Sequence, residues 1–253
     1  MAFTIAVAGK GGVGKTTVSG LLVKYLVDSG RTPVLAVDAD SNSNLNDVLG
    51  VCVDATLGEA REEMKSVSNA GPSGMTKDMF IEMKLNQALV ESKGFDLIAM
   101  GRPEGAGCYC AANHLLTASM EKLTDNYKYL VVDNEAGMEH ISRVTTERVD
   151  LLLVVSDPSK RSMTAAKRVA ELAKDMKILD GPVHLIVNMA RGTERGAIEK
   201  AASEMGLNLV GIMPDDPSLA EMDLLGKATA ALPADNPAAK AAGEIFAKVL
   251  PAA

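Results

Sequence analysis

A glycine-rich loop near the start of the chain constrains the fold more than any other feature of the sequence. Its residues are Gly9, Lys10, Gly11, Gly12, Val13, Gly14, Lys15, Thr16 and Thr17. The loop lies between an apolar run at residues 3–8 and an amphipathic stretch at 16–29. A strand, a loop of the form G-x-x-x-x-G-K-[S/T] and a helix make up a P-loop, in which backbone N–H groups surround phosphate oxygens at the positive end of the helix. A glycine-rich turn with a chance Lys-Thr pair is the alternative, and it leaves the flanking strand and helix unexplained.

The P-loop predicts roles for its polar side chains. We expect Lys15 to neutralise the β- and γ-phosphates of a nucleoside triphosphate and the Thr16 hydroxyl to ligate Mg²⁺. Lys10 is a second lysine inside the same loop. Its two interpretations are a functional cation and a solvated lysine without a role.

Short apolar runs alternate with amphipathic stretches along the rest of the chain. Strands are predicted at residues 3–8, 33–37, 95–100, 129–132, 151–155, 184–188 and 209–213, and helices at 16–29, 113–124, 163–175, 194–205 and 238–249. Because the strands are nearly unbroken apolar runs, helices must cover both faces of the sheet. The pattern predicts an α/β fold with a doubly wound, mainly parallel sheet of seven to eight strands flanked by helices.

The length predicts one P-loop NTPase domain over residues 1–253. A chain of 253 residues that is 47% hydrophobic can bury one sizeable core. Residues 54–92 are rich in Met, Glu and Lys without a strong strand signal, which predicts an insertion of helix and loop before the third strand. The Ala- and Pro-rich residues 228–253 are predicted to form a helical appendage at the C-terminus.

Composition argues against several classes of partner. The net charge of -7 is spread without a basic block, and aromatics are only 3%, so neither a positive field nor a base-stacking surface for nucleic acid is expected. No apolar run is long enough to span a membrane, and no leader pattern precedes the loop. Three cysteines do not suggest a disulfide framework. We expect a cytoplasmic protein that binds neither nucleic acid nor membrane.

Polar residues follow several of the predicted strands, at the edge where ligands of doubly wound sheets bind. Asp38 and Asp40 follow the second strand, and a helix cap is the alternative role for Asp40 or Ser41. Asp133 follows the fourth strand and suits the water shell of Mg²⁺, as in a Walker B segment, and Gly137 behind it can act as a pivot. Asn188 follows the sixth strand within residues 188–191, which resemble the adenine-reading N-K-x-R segment. Its amide suits the edge of adenine, and a turn residue at a strand end is the alternative.

A pair of thiols, Cys108 and Cys110, stands one residue apart after a glycine-rich turn. One chain supplies two thiolates, whereas a closed Zn²⁺ site takes four ligands, so a two-fold axis through this loop would complete the set. His114 would allow a metal site within one subunit. The alternative without a function is that both thiols are buried and inert. Cys52 is expected in the core. His140 is a further candidate for coupling to the segment after Asp133.

The form GKGGVGKT resembles the deviant Walker A of the SIMIBI class, which includes MinD, ParA, ArsA and the nitrogenase iron protein. The resemblance implies a homodimer that sandwiches ATP, with Lys10 reaching the nucleotide of the partner. It also implies that residues 38–42 are switch I, with Asp40 positioning the attacking water and Asp38 nearer to Mg²⁺. Relatives often carry D-x-P-A-G after the fourth strand, where this chain has Glu135 in place of the proline.

The P-loop, the segment DADS, the C-x-C pair and the later A-G-x-E-H together resemble the CooC-type ATPases that insert nickel into carbon monoxide dehydrogenase. In that family, paired C-x-C motifs of a dimer bind Ni²⁺ or Zn²⁺ and ATP controls metal handling. The resemblance implies that Cys108 and Cys110 are the metal ligands and that carbon monoxide dehydrogenase is the client. Maturation of acetyl-CoA synthase, a positioning ATPase of the MinD/ParA kind and an iron–sulfur carrier are the alternatives.

Overall fold

The computed structural model describes residues 1–40, 42, 44–66, 76–101, 120–135, 149–176, 179–192 and 195–252. Eight strands form one sheet in the order β3-β4-β2-β5-β1-β6-β7-β8. The strands are β1 (Phe3–Gly9), β2 (Val34–Asp38), β3 (Leu89–Glu91), β4 (Phe95–Ala99), β5 (Tyr129–Asp133), β6 (Leu151–Ser156), β7 (Val183–Ala190) and β8 (Leu209–Pro214). β3 pairs antiparallel with β4, and every other neighbouring pair is parallel. All seven predicted strands are therefore confirmed.

The eighth strand, β3, was missed inside residues 54–92. It is three residues long, and it begins at Leu89, the residue that caps the preceding helix in an extended conformation. Periodicity cannot reveal so short a strand, because two alternations of side chains are too few to form a pattern. The region therefore contains an edge strand as well as helices.

Helices lie on both faces of the sheet. They are α1 (Lys15–Asp28), α2 (Leu45–Leu49), α3 (Leu57–Ser66), α4 (Lys77–Ala88), α5 (Lys160–Asp175), α6 (Arg195–Glu204), α7 (Pro217–Leu224) and α8 (Pro237–Val249). Of the predicted helix 113–124, residues 120–124 are helical and the rest lies outside the described residues. Among the described residues, no helix is both long enough and apolar enough to cross a membrane.

The two sides of the central strand β1 pack against different helices. Ile5 and Val7 share a core with buried residues of α1 and α8, whereas Ala6 and Ala8 share one with α5 and α6. This alternation explains why the strands are apolar on both faces. It confirms the doubly wound arrangement.

The C-terminal helix is part of the main core rather than an appendage. Phe246 and Ile245 of α8 are buried, and Phe246 packs against Tyr25 of α1. A Cβ on Gly211 of β8 would lie 2.2 Å from an Ile245 side-chain atom, so this glycine allows α8 to pack closely on the strand. The small alanine side chains of α8 permit this close packing, so an Ala-rich composition does not mark an appendage.

The P-loop lies at the point where the order of strand addition reverses, so that later strands are added on the other side of β1. β1 leads through α1 to β2 on one side of the sheet, and the later strand β6 lies on the other side of β1. In open α/β sheets, ligands bind outside the carboxyl ends of strands at such a switch point. The end of β1 is where the glycine-rich loop begins.

Candidate nucleotide-binding site

Close packing against neighbouring strands requires glycine at both ends of the loop. Gly9 has φ 152, and a Cβ there would lie 2.3 Å from the Val155 carbonyl oxygen of β6. Gly14 caps α1 with φ 87, and a Cβ there would lie 2.4 Å from Nδ2 of Asn188. A side chain at either position would displace the loop from the neighbouring strands. Between them, Val13 is buried and anchors the loop in the core.

The two lysines of the loop occupy different environments. Lys15 is 8% exposed, and its Nζ donates to the backbone carbonyl of Lys10 at 3.3 Å. Lys10, Gly11 and Gly12 are exposed. The ammonium of Lys15 is thus held within the loop, whereas Lys10 is available to a second molecule.

Asp133 lies at the end of β5 in contact with α1. Its Oδ1 accepts a 3.0 Å hydrogen bond from the Ser19 hydroxyl, and the Thr16 hydroxyl also hydrogen-bonds the carboxylate. Burial is the largest cause that raises the pKa of Asp133, and the charge of Asp38 also raises it. The hydrogen bonds from Thr16 and Ser19 and the charge of Lys15 lower it, and the net pKa is about 7. Sequence reasoning missed Ser19. Its position one helical turn after Thr16 places both hydroxyls on the same face of α1.

Asp38 is the neighbour of Asp133 across the sheet, because the two residues are paired in register at the ends of β2 and β5. Its two carboxylate oxygens accept the backbone N–H groups of Asp40 at 3.1 Å and Leu45 at 2.9 Å. Burial raises the pKa of Asp38 to about 6 despite these hydrogen bonds. Asp38 therefore fixes both ends of the loop that leads from β2 to α2.

Asp40 lies within that loop and is partly exposed. Its Oδ1 accepts the backbone N–H of Asn42 at 2.8 Å, which forms a local turn. The helix-cap alternative is wrong for Asp40, because the N-cap of α2 is Asn44, and Ser41 lies outside the described residues.

The side chains of Thr16, Asp38 and Asp133 form a cluster that fits a magnesium ion. The Thr16 hydroxyl and the two buried carboxylates of Asp133 and Asp38 are hard oxygen donors of the kind that Mg²⁺ prefers. The pKa values of both aspartates are raised by burial and by a neighbouring carboxylate, so a cation in the site would be favoured.

A cavity of about 750 Å³ opens beside the P-loop. Its lining residues are Thr16, Thr17, Asn44, Asp47, Val48, Asn188, Met189, Pro214, Asp215, Asp216, Leu219, Ala220, Asp223, Gly226, Lys227 and Thr229. The volume lies in the range of pockets that hold small organic ligands. Since the P-loop forms one end, a nucleotide held by its phosphates would extend its nucleoside into this cavity.

Comparison with known proteins identifies the family. The model of the CobQ/CobB/MinD/ParA nucleotide binding domain matches residues 4–229. The chain belongs to this family. It is an ATP-binding P-loop ATPase with the MinD/ParA fold.

Two curated relatives align with nearly the whole chain. An uncharacterized ATP-binding protein of Methanocaldococcus jannaschii is 42% identical over 248 residues, which cover 97% of this chain and 98% of the relative. The carbon monoxide dehydrogenase accessory protein CooC of Rhodospirillum rubrum is 32% identical over 234 residues, covering 88% of this chain and 87% of the relative.

Solved structures of MinD proteins share the fold. The MinC:MinD cell division protein complex of Aquifex aeolicus gives a TM-score of 0.73 at 23% identity, covering 100% of this chain and 98% of that one. MinD of Pyrococcus horikoshii, complexed with Mg-ADP, gives 0.72 at 22% identity, covering 98% and 96%. At these identities the likeness concerns the fold alone.

Asn188 contacts the P-loop of this ATPase directly. It is 3% exposed, and its Nδ2 donates to the Val13 carbonyl at 3.0 Å. β7 continues to Ala190, so the strand-end turn alternative for Asn188 is wrong. Recognition of adenine by the Asn188 amide stays a prediction.

The cysteines fall into two groups. Cys108 and Cys110, with His114 and His140, lie outside the described residues. Cys52 is exposed, contrary to the expectation of a core position. The residues on either side, Val51 and Val53, pack against the main core, and alternation along the extended segment turns Cys52 outward.

Ser19 provides a test of how Asp133 is held. Replacing Ser19 by alanine removes a hydrogen bond to a buried carboxylate, and such bonds contribute about 1.5–3 kcal/mol. We expect kcat for ATP hydrolysis to fall about tenfold and the Mg²⁺ concentration for half-maximal activity to rise. Ser29→Ala is the control, since its hydroxyl donates to the Tyr25 carbonyl at the far end of α1. Equal activity of Ser19→Ala and wild type across a Mg²⁺ titration would remove Ser19 from the site.

Proposed function

We propose that this ATPase is a dimeric metallochaperone that binds Ni²⁺ or Zn²⁺ through Cys108 and Cys110 and assists nickel insertion into carbon monoxide dehydrogenase. The observation that carries the proposal is the 32% identity, over 234 residues, to a carbon monoxide dehydrogenase accessory protein. The C-x-C pair supports it, because soft thiolates bind Ni²⁺ and Zn²⁺.

The nucleotide chemistry is proposed to reside in the cluster around the P-loop. Lys15 neutralises the β- and γ-phosphates, and backbone N–H groups of the glycine-rich loop surround them. Mg²⁺ held by Thr16 and by Asp133 and Asp38, directly or through water, would supply charge neutralisation between the phosphates. Asp40, in the loop fixed by Asp38, orients the attacking water.

A second subunit is proposed to complete both sites. Lys10 is exposed beside two exposed glycines, so nothing in the described chain prevents its ammonium from reaching the nucleotide of a partner. Two chains would likewise bring together four thiolates from Cys108 and Cys110, the number that a closed tetrahedral site requires. ATP and metal are then linked through one dimer.

Linkage makes the proposed coupling measurable from either side. If nucleotide binding changes the affinity for the metal by some factor, metal binding changes the affinity for nucleotide by the same factor. A nucleotide that promotes the dimer should therefore tighten metal binding at the shared thiolates, and added metal should tighten nucleotide binding.

The decisive experiment titrates the metal-free protein with Ni²⁺ and with Zn²⁺, without nucleotide and with ADP or ATP, while the dimer fraction is recorded. We expect one metal ion per two chains and loss of tight binding in the Cys108→Ala/Cys110→Ala variant, which keeps its affinity for ATP. Cys52→Ala is the matched control, because Cys52 is an exposed thiol outside the pair and its removal should leave the stoichiometry unchanged.

The contrary outcomes point to different functions. Undiminished metal binding by the double variant would exclude the thiolates as ligands. Absence of any thiol-dependent metal binding would return the protein to a switch ATPase of the MinD/ParA kind, and a brown protein with visible absorption would indicate an iron–sulfur carrier. Nickel-dependent activation of acetyl-CoA synthase, without an effect on carbon monoxide dehydrogenase, would reassign the client.

A further inference from the structure

Helix α5 carries the largest positive charge of the described helices, although the protein as a whole is acidic. Its cations are Lys160, Arg161, Lys167, Arg168 and Lys174, and its anions are Glu171 and Asp175. The helix therefore has a net charge of +3, whereas the whole chain has -7 and the chain without this helix has -10. No basic run marks the helix in the sequence, because the cations are distributed along its length.

The helical period gathers two of these cations into one exposed stripe. Arg161 and Arg168 are both exposed, and a spacing of two turns puts them on one ridge, about 10 Å apart. Leu172 lies one turn after Arg168, and Met176 lies one turn further. Their side chains are 43% and 38% exposed. The α5 stripe, formed by Arg161, Arg168, Leu172 and Met176, therefore presents two guanidinium groups followed by two large apolar side chains.

The cations of α5 are largely unpaired within the chain. Lys167 lies 3.9 Å from Glu171, and the other four have no ion-pair partner among the described residues. On α6, by contrast, Arg195 pairs with Glu199 at 3.0 Å. The two guanidinium groups of the α5 stripe are thus available to an anion from outside the chain.

The position of Arg161 is unfavourable for the helix itself. Lys160 and Arg161 are the first two residues of α5, directly after the N-cap Ser159, and the first turn contains no acidic residue. The N-terminus of a helix carries a partial positive charge, so carboxylates stabilise it and cations destabilise it. Residues that break such a local rule without a compensating contact are expected mainly at functional sites.

We propose that the α5 stripe docks an acidic segment of a partner protein, which places carboxylates against Arg161 and Arg168 and an apolar side chain against Leu172 and Met176. The guanidinium group matches the geometry of a carboxylate with two parallel hydrogen bonds. The apolar end of the stripe adds contact area and fixes the direction of the segment along the helix. This interaction surface is independent of the metal site proposed above.

The charge of the rest of the chain decides which kind of anion fits. A helix of 16 residues is about 24 Å long, and charges are screened beyond about 8 Å at physiological ionic strength. A segment that lies along α5 therefore interacts mainly with its cations. A membrane or a nucleic acid extends past the helix and meets the acidic remainder of the chain. The apolar face of α5 is buried in the core beneath it, so the helix cannot insert into a bilayer.

The test measures binding of a labelled peptide made of three Glu-Glu-Leu-Glu repeats, by fluorescence anisotropy at low and at physiological salt. We expect binding to wild type that weakens with salt, and a Kd about thirtyfold higher for Arg161→Glu/Arg168→Glu, because reversal replaces two attractions by two repulsions. Leu172→Ser/Met176→Ser should raise the Kd about fivefold. Lys240→Glu/Lys248→Glu is the matched control, since it makes the same change of charge at two exposed lysines of α8, and its Kd should stay within about twofold of wild type.

A second measurement separates docking from a structural role. Arg161→Glu alone should raise the midpoint of urea unfolding, because glutamate suits the first turn of a helix, while the Kd for the peptide rises about fivefold. Stability and binding therefore move in opposite directions. A lower midpoint for Arg161→Glu would mean that the arginine stabilises the fold, which would contradict the proposal.

Three further outcomes would overturn the inference. Wild type that does not bind the peptide at low salt would exclude an acidic segment as the occupant. Equal weakening by the α8 control would show that the peptide senses the total charge rather than the α5 stripe. Tighter binding of phosphatidylglycerol vesicles or duplex DNA than of the peptide, lost in Arg161→Glu/Arg168→Glu, would reassign the stripe to a membrane or to nucleic acid.

Discussion

Lys15→Ala is expected to abolish ATP hydrolysis, with kcat/KM at least about a hundredfold below wild type. The lysine supplies the charge that is proposed to neutralise the β- and γ-phosphates, and loss of a single preorganised donor to developing charge costs on the order of 10²–10³ in rate. Lys15 is buried within the loop, so water cannot replace its ammonium without rearrangement of the loop. Release of phosphate from ATP at saturating Mg²⁺ measures the effect.

The control uses another lysine of the same helix. Lys24 forms an ion pair with Asp28 on the outer surface of α1, at 2.9 Å, away from the cavity. Lys24→Ala should hydrolyse ATP at the wild-type rate, and both variants should show wild-type circular dichroism. Retained hydrolysis by folded Lys15→Ala would show that the P-loop does not hold the reacting phosphates.

The fold could be predicted because its signals are local. Each parallel strand is a continuous apolar run, and each is separated from the next by a segment long enough for a crossover helix. β3 and the core position of α8 could not be predicted, because the first depends on pairing with β4 and the second on the absence of a side chain at Gly211, which lies against Ile245. Those are contacts between distant parts of the chain.

The candidate site divides in the same way. Asp38, Asp133 and Asn188 were located because each stands at the end of a predicted strand, and strand ends meet at one edge of the sheet. The contacts of each side chain could not be predicted. The Asp38 carboxylate accepts a hydrogen bond from the start of α2, and the Asn188 amide donates one to the P-loop. Ser19 has no motif at all. Its position depends on a helical face, which sequence spacing alone does not rank above the faces of other serines.

Asp133→Asn is expected to lower the rate of ATP hydrolysis and to raise the free energy of unfolding. The variant should lose ATP hydrolysis by about a hundredfold or more, because the amide lacks the charge that holds Mg²⁺ in the proposed mechanism. At pH 7 to 8, without Mg²⁺ or nucleotide, it should nevertheless be more stable than wild type. The ionised carboxylate is buried in the wild-type protein, and burial is the largest cause of its raised pKa.

The pH dependence follows from the direction of that shift. The pKa of Asp133 is raised from 3.8 to about 7 on folding, so the folded state keeps its proton when the unfolded state has lost it. The stabilising effect of the proton is fully present below about pH 4 and is lost as the pH rises towards 7. The free energy of unfolding of wild type should therefore fall relative to Asp133→Asn over this window, by an amount on the order of 3 kcal/mol.

Urea denaturation of both proteins in EDTA at several pH values from 4 to 8 measures this difference. Asp28→Asn is the control, since an exposed carboxylate on α1 should change the free energy of unfolding by no more than about 0.5 kcal/mol at any pH. A lower stability of Asp133→Asn at pH 7 would mean that Ser19, Thr16 and Lys15 stabilise the charged carboxylate by more than its burial costs. The cluster would then be fully organised without its cation. A higher stability of Asp133→Asn at pH 7 means instead that the Asp133 carboxylate destabilises the protein without ligands. Bound Mg²⁺ and nucleotide would then offset this cost, so ligand binding and the stability of this edge of the sheet would be coupled.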